Sequence, residues 1–480
     1  MYSNKKKVLV VGSGLSAYGA CLALIEKSNL LIDVFDIGLE ENYLNQPNES
    51  LPNSKPINGS YYPYGINDKR WKEKLISDRI TSSHAYGGFT KVYSGSILRP
   101  SDNDLIDWPK NSIPEDIDYK KVIDSLQIEN HNDEIDEFFL LNNETKKENK
   151  KNIYLGKSKI AYTYDKSSKC RIPFDSSTKF SKWHLDKKIN YIKGRRVLFI
   201  KQKGKLLEVN IAEINKKNIS KGYYDFIYLA CGCVNTTAIV DRSVMGKGIR
   251  KYTIKSCPGL LGLHFNIDFL NIIKRFKYRK KQNSNYELCS HFLEQKNFLP
   301  SNFWSHSQIG VINKVIFDFL EKKIDKTLLT FILYAKDLFR FSNTVFHSKL
   351  GSNATLLSEV NDSQLIRIKE NKSSVNILNK LSVTFSFLSK IITLKLIPIP
   401  LMNIIGNYLK GNQLGGWHYG GTIPMREYPI KETDCFANGL LKGINNTFVV
   451  DSSSFPSIPG STIALLTMAN AYRITRKSTN

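Results

Sequence analysis

The apolar positions fall into different patterns along the chain. Residues 8–11, Val-Leu-Val-Val, form an unbroken apolar run, as expected of a strand buried on both faces. A Gly-Ser-Gly turn follows, and then "LSAYGACLALIEK", whose apolar residues recur at helical spacing. "LLIDVFDIG" predicts a second buried strand that ends at Asp36. "INYIKGRRVLFIKQKGKLLEVNI" alternates apolar and polar residues around glycines and predicts a β-meander; "YDFIYLACGCVNTT" predicts a return strand ending near Gly232. "TFVVD" predicts a last strand ending in Asp451, followed by a Pro/Ser/Gly loop and a helix from about Ile463, with Ser461 or Thr462 as N-cap.

Two polar stretches interrupt this order: 40–66, read as a surface loop, and the low-complexity 142–152, read as solvated. Residues 256–410 differ in character. They are rich in Phe, Leu, Ile, Lys and Asn, mix helical and strand patterns, and carry no phosphate-type glycine turn. The expected fold is mixed α/β. A Rossmann-like nucleotide-binding domain is built from 1–125, 190–255 and 411–480; 126–189 is a substrate-domain or cap segment, and 256–410 a sheet-and-helix substrate domain.

The first strand, turn and helix carry chemistry. Gly12 permits the turn and Gly14 lets a pyrophosphate approach the backbone. Ala17 is small enough for the helix to pack on the strand. Ser13, Leu15 and Ser16 complete the turn, and the helix offers free N–H groups and a positive dipole end to phosphates. Asp36 lies where a ribose-hydroxyl ligand is needed. A second glycine turn stands at Gly87-Gly88, within "YGGFTKVYSG", and "DNDLIDWP" comes soon after it. Near the C-terminus "GGWHYGGTIPM" sets His418 between two glycine pairs, which read as clearance for something flat. Trp417 and Tyr419 flank that histidine, as a sugar-stacking wall or as core.

Composition narrows the partners. With 480 residues, 41% hydrophobic and 24% charged, the chain is long enough for about two or three domains. A formal charge of +25 suits an anionic partner, but the basic residues are spread out, which argues against nucleic acid. A general excess of Lys, Asn and Ile explains the charge equally well. Seven scattered cysteines form neither a disulfide framework nor zinc-ligand spacing, so no metal site is expected. Glycines break the apolar N-terminal run, which speaks against a signal peptide. The stretch 381–406 is cut by Lys390, Lys395, Pro398 and Pro400 and is read as buried helices, with peripheral membrane contact as the alternative. A cytoplasmic protein is expected.

These segments, in this order, resemble the glucose–methanol–choline (GMC) family of FAD-dependent oxidoreductases. "VVGSGLSAYGA" with Asp36 is similar to the family's FAD fingerprint, and "YGGFTKVYSG" with "DNDLIDWP" to its second glycine motif. "YLACGCVNT" is similar to the strand that returns to the cofactor. "GGWHYGGTIPM" resembles the turn bearing the active-site histidine, and "NNTFVVDSSSFPSIPGSTIALLTMANAYRI" the C-terminal signature. The resemblance implies that Gly12, Gly14 and Asp36 hold the ADP half of FAD, with Val197 near the adenine. It implies that Gly87, Gly88 and Thr90 line the flavin side, and that Ala230 and Gly232 belong to the cofactor site. Asp451 would bind the ribityl or phosphate region, and the N–H groups near Thr462 and Ile463 would face the flavin.

Three positions depart from the family. Ser461 and Thr462 stand where a second catalytic Asn or His is usual. Lys91 lies near the place where some relatives carry a flavin-linking His, so non-covalent FAD is expected. Tyr93-Ser94 replaces Asn-Gly. The implied activity is oxidation of a CH–OH group, with His418 as base and Thr462 as a further catalytic candidate. A sugar or sugar-like alcohol, phosphate- or lipid-linked and belonging to surface-polysaccharide synthesis, is the substrate expected. The electron acceptor is unidentified. A flavin-dependent sugar mutase and a non-catalytic flavoprotein are the alternatives.

Overall fold

The computed structural model describes, apart from short gaps, residues 5–40, 82–127, 174–213, 219–255 and 418–479 with their side chains, and as backbone the strands that lie between them. The stretch 142–152 lies outside the described residues, as does 381–406 except for the strand Leu396–Pro398. Within 40–66 the chain forms a short antiparallel pair, Lys55–Ile57 with Ser60–Tyr62.

The apolar runs meet in one five-stranded parallel sheet. Its order is Thr447–Val449, Phe226–Leu229, Lys6–Val11, Leu30–Asp36 and Asn190–Lys193. Val8–Val11 lie opposite Phe226–Leu229 on one side and Ile32–Phe35 on the other. Val8, Leu9 and Val10 are fully buried, which is why this strand has no polar face. The chain winds outward from the first strand in both directions, so a crevice is expected at the carboxyl ends of the strands beside it.

The helix Leu15–Leu24 packs on the C-terminal helix Ala464–Ser478. The approach is close: a Cβ at Gly19 would run into the Met468 carbonyl. The parallel sheet is therefore discontinuous in sequence, as expected, and residues near both termini share one core.

Two expectations need correction. Asn190–Lys193 does not belong to the meander. It pairs in parallel with Leu30–Asp36, and Gly194, at φ +74°, turns the chain out of that sheet. The antiparallel meander consists of Arg195–Lys203, Leu206–Glu213 and Ile219–Tyr224. The C-terminal helix is not capped by Ser461 or Thr462. Its N-cap is Ile463, whose carbonyl accepts the Thr467 N–H at 2.8 Å, so the chain enters the helix later than the hydroxyl residues suggest.

The second large element is a ten-stranded sheet drawn mainly from 248–420. Its long strand Gly248–Asn266 pairs with Leu414–Gly420, the segment that carries His418. Among the described residues no helix is long and apolar enough to cross a membrane.

Candidate cofactor-binding and active site

The two glycine turns and Asp36 are joined by one chain of hydrogen bonds. The Gly87 N–H donates to Ser13 Oγ at 2.8 Å, and the Ser13 hydroxyl donates to Asp36 Oδ2. The Tyr191 hydroxyl donates to the same carboxylate oxygen at 3.2 Å. Ser176 Oγ closes the group by donating to the Ser13 carbonyl at 2.7 Å. Burial pushes the Asp36 carboxyl up to about 6; the Ser13 and Tyr191 hydroxyls and the N–H groups of Gly38 and Ile37 pull against that rise. Gly88 faces Gly14 directly: a Cβ on Gly88 would stand 3.4 Å from the Gly14 Cα.

The remaining residues of the second turn are bound inward. Thr90 Oγ1 donates to the Gly87 carbonyl at 2.7 Å. Lys91 pairs with Asp175 at 2.5 Å and donates to Ser177 Oγ at 3.0 Å. Leu15 and Ser16 open the first helix, and the Tyr18 N–H returns to the Gly14 carbonyl. Val197 is buried in the meander opposite Ile211, beside a register shift.

Asp451 lies two residues beyond its strand and is buried. Its Oδ1 accepts the Ser453 N–H at 3.0 Å and the Ser453 hydroxyl. Its Oδ2 accepts the Gly232 N–H at 2.9 Å and Thr236 Oγ1 at 2.5 Å. Four donors thus fill the usual acceptor positions of a carboxylate. The result is a latch between the turn after Phe226–Leu229 and the turn after Thr447–Val449. Burial raises the Asp451 carboxyl above its ordinary range, opposed by those four bonds. Burial pushes the Cys231 thiol up to about 12, and the charges of Asp451 and Asp36 both add to the rise. Asp36 ends one strand of the parallel sheet and Asp451 follows another by two residues, so both acids, far apart in sequence, stand at the carboxyl edge of one sheet. Ala230, in the same turn, is buried and donates its N–H to the Val11 carbonyl at 3.0 Å.

His418 lies on a strand rather than in a turn; the turn begins after it, at Gly421 with φ +74°. The part-buried imidazole has its Nδ1 sealed from solvent. The strand end is knitted to the segment after Asp451. The Ser452 hydroxyl donates to the Tyr419 carbonyl at 2.9 Å, the Gly421 N–H to the Ser452 carbonyl at 2.9 Å, and the Ile423 N–H to the Ser453 carbonyl at 2.8 Å. This corrects the reading of the second glycine pair as clearance for a flat ligand. A Cβ on Gly420 would collide with the Ser452 carbonyl, and one on Gly421 would stand 3.1 Å from the Phe455 carbonyl. The clearance is for the protein's own backbone. Tyr419 is buried core.

Farther along the same segment, Ser461 is wholly buried and Thr462 nearly so, and neither hydroxyl has a hydrogen-bond partner among the described residues. The loop leading to them is clamped by the "DNDLIDWP" motif. Trp108 Nε1 donates to Ser457 Oγ at 3.1 Å, the Ser457 hydroxyl donates to Asp107 at 2.8 Å, and the Gly460 N–H donates to Asp104 at 3.3 Å. Among the described residues no cluster of potential metal ligands occurs.

Sequence reading missed Tyr191, Ser176 and Thr236. Tyr191 reaches Asp36 across 155 residues of chain, through a strand pairing that periodicity alone does not reveal. Thr236 was visible as a hydroxyl one turn into a helix, but its acceptor, Asp451, lies 215 residues away.

No protein-family model matches the chain, and no curated protein matches its sequence. Solved structures do match. Pyridoxine 4-oxidase from Mesorbium loti superposes with a TM-score of 0.58 at 11% identity over 99% of both chains. An FAD-dependent oxidoreductase from Chaetomium thermophilum, solved with a bound fragment, superposes with a TM-score of 0.58 at 13% identity over 98% of both chains. This chain has their fold. It is also the fold expected from the order of the motifs: a discontinuous parallel sheet with a second large sheet inserted.

The chain's own residues fit an adenine dinucleotide. A Cβ on Gly232 would meet nothing within 4 Å, and one on Gly14 only the Gly87 carbonyl, at 4.0 Å. Space is thus left at both turns that begin where a parallel strand ends. The hydroxyls of Ser461 and Thr462, without partners among the described residues, support the same fit. A buried hydroxyl without a partner costs roughly 1–3 kcal/mol, which a polar ligand would offset.

Proposed function

We propose that this protein is an FAD-dependent oxidoreductase that oxidises the CH–OH group of an alcohol, with FAD held non-covalently and His418 as the base. The hydrogen-bond chain from Gly87 through Ser13 to Asp36 carries this reading, since it unites the features that a dinucleotide requires. The shared fold with proteins named as an oxidase and as an FAD-dependent oxidoreductase supports the same class.

Bound FAD would supply the hydride acceptor. The chain's residues would do the rest. The turn Gly12–Ser16 and the N-terminus of the helix Leu15–Leu24 bind the pyrophosphate through backbone N–H groups. Asp36 accepts the ribose hydroxyls. Imidazole titrates near neutral pH and suits a group that must take a proton and return it, so His418 accepts the substrate hydroxyl's proton. The Thr462 hydroxyl, buried without a partner among the described residues, orients the substrate hydroxyl toward that base. The N-terminus of Ala464–Ser478 brings N–H donors and a positive dipole end to the side of the cofactor where negative charge accumulates. The excess of Lys and Arg favours an anionic alcohol such as a phosphate-bearing sugar.

The test is anaerobic mixing of the purified flavoprotein with a panel of sugars, polyols and their phosphates. An alcohol that bleaches the visible flavin band identifies the substrate class. His418→Ala should keep its FAD and lose roughly 10²–10⁴-fold in the rate of bleaching. A near-normal rate removes His418 as the base. Turnover of a sugar without any bleaching removes net oxidation and leaves an isomerising flavoenzyme.

A further inference from the structure

The Tyr191 hydroxyl is held by more of the fold than a surface tyrosine needs. Its ring stacks on Tyr86, with centroids 4.5 Å apart and planes 27° apart. Tyr86 is fixed in turn by a 3.0 Å hydrogen bond between its hydroxyl and Ser181 Oγ. The Tyr191 N–H donates to His184 Nδ1 at 3.2 Å. Gly38, at φ +61°, leaves the space the hydroxyl fills: a Cβ there would stand 2.5 Å from Tyr191 Oη. A stacked ring, an anchored backbone and a cleared glycine therefore converge to place one O–H on one carboxylate oxygen.

That oxygen already has a donor in Ser13. A carboxylate's terminal torsion is broad, so each added donor narrows its orientation. The Ile37 and Gly38 N–H groups also bear on this carboxyl, and Tyr191 adds a second side-chain donor on Oδ2, restricting the plane of the group and so the direction in which it accepts further bonds. We propose that Tyr191 is a positioning residue of the dinucleotide site, holding the Asp36 carboxylate in the orientation that receives the hydroxyls of an adenosine ribose. The inference rests on the proposed binding of an adenine dinucleotide and adds to it a residue that positions the ribose ligand. Burial, reinforced by the Asp36 charge, raises the Tyr191 phenol far above its ordinary value, so it acts as a donor throughout the working pH range. Preorganising a polar group in this way strengthens binding by removing the ordering cost from the binding step.

The experiment compares ADP with 2′-deoxy-ADP on deflavinated protein at about pH 8, where both ligands carry the same charge. The ratio of their dissociation constants reports only the ribose hydroxyl. The wild-type protein should prefer ADP by about tenfold, the worth of a hydrogen bond to a charged acceptor. Tyr191→Phe keeps the ring and its stack and should reduce the preference to about twofold or less, with 2′-deoxy-ADP binding nearly unchanged. Tyr86→Leu, which removes the stacking partner and leaves the hydroxyl, should fall between the two. If the wild type prefers ADP and Tyr191→Phe prefers it equally, the positioning role is wrong while the dinucleotide site stands. If Tyr191→Phe weakens both ligands alike, the tyrosine is merely structural and the inference fails. If the wild type shows no preference or binds neither ligand, the ribose role of Asp36 fails, and the inference with it.

Discussion

The first glycine turn makes an unusually separable prediction, because its two glycines face different things. At Gly12, φ is +108° and a Cβ would stand 2.7 Å from the Ala230 carbonyl and 3.0 Å from the Cys231 Cα. Both neighbours are backbone in a buried turn and cannot swing aside. Strain at that φ costs roughly 1–3 kcal/mol and the overlap roughly as much again, so Gly12→Ala should lose about 3 kcal/mol or more of stability. At Gly14 the backbone is ordinary, φ −77° and ψ −166°, and the nearest atom to a Cβ is 4.0 Å away. Alanine is a poorer N-cap than glycine by up to about 1 kcal/mol, while the stiffer unfolded chain returns about 0.4–1 kcal/mol. Gly14→Ala should therefore leave stability within about 1 kcal/mol of wild type. Its methyl would instead occupy the space proposed for the pyrophosphate. An overpacked contact of about 1–3 kcal/mol weakens binding roughly 5- to 200-fold. The assay pairs thermal denaturation of the two apoproteins with FAD titration followed by flavin fluorescence. If Gly14→Ala binds FAD within twofold of wild type, the glycine does not face the cofactor. If Gly12→Ala is as stable as wild type, the packing argument is wrong.

Other predictions follow from the acids and from the histidine strand. The Asp36 carboxyl, ordinarily near 3.8, is raised to about 6, so its proton favours folding below 3.8 and that contribution is lost as pH rises through about 6. The ionised form is the one that accepts ribose hydroxyls, so FAD affinity should be flat above neutral pH and weaken by up to about tenfold per pH unit below about 6. A flat titration across that range would refute the ribose role. Asp451→Asn replaces an acceptor of four donors by a group with one acceptor oxygen, stranding the Gly232 N–H or the Ser453 N–H. It should cost about 3 kcal/mol, read as a lower denaturant midpoint, and should accelerate FAD release. Gly420→Ala should force the strand of His418 away from Ser452, lowering the rate of flavin reduction while FAD stays bound.

Much of the fold was legible because its signals are local. A buried strand, a glycine turn and a helix announce themselves within about twenty residues, and the C-terminal strand and helix do likewise. The parallel sheet could be assembled from such pieces because buried strands leave few partners other than one another. Two kinds of information were missing. One is pairing over distance: Asn190–Lys193 reads as meander from its own residues, and only its register with Asp33–Asp36 assigns it to the edge of the parallel sheet. The other is which side chains satisfy a buried carboxylate. Ser13 adjoins the glycine signal and Ser453 lies two residues from Asp451, but Tyr191 and Thr236 reach Asp36 and Asp451 across 155 and 215 residues, through geometry that composition does not encode.

The glycines show what a sequence motif does and does not say. A glycine records that something comes close to the backbone, but not what. Gly12 and Gly420 clear the protein's own carbonyls, those of Ala230 and Ser452, and belong to the fold. Gly14 and Gly232 face space that the chain leaves open, at the turns bonded to Asp36 and Asp451 respectively, and are the ones that leave room for the proposed cofactor. The pair around His418 therefore argues for the candidate base only indirectly. By letting the strand press against Ser452 and Ser453, Gly420 ties the imidazole to the segment that Asp451 latches to the Gly232 turn. The strand of His418 is thus hydrogen-bonded to the segment that Asp451 anchors, so Asp451→Asn should slow flavin reduction as well as loosen FAD, whereas Gly420→Ala, which leaves the Asp451 bonds in place, should affect only the former.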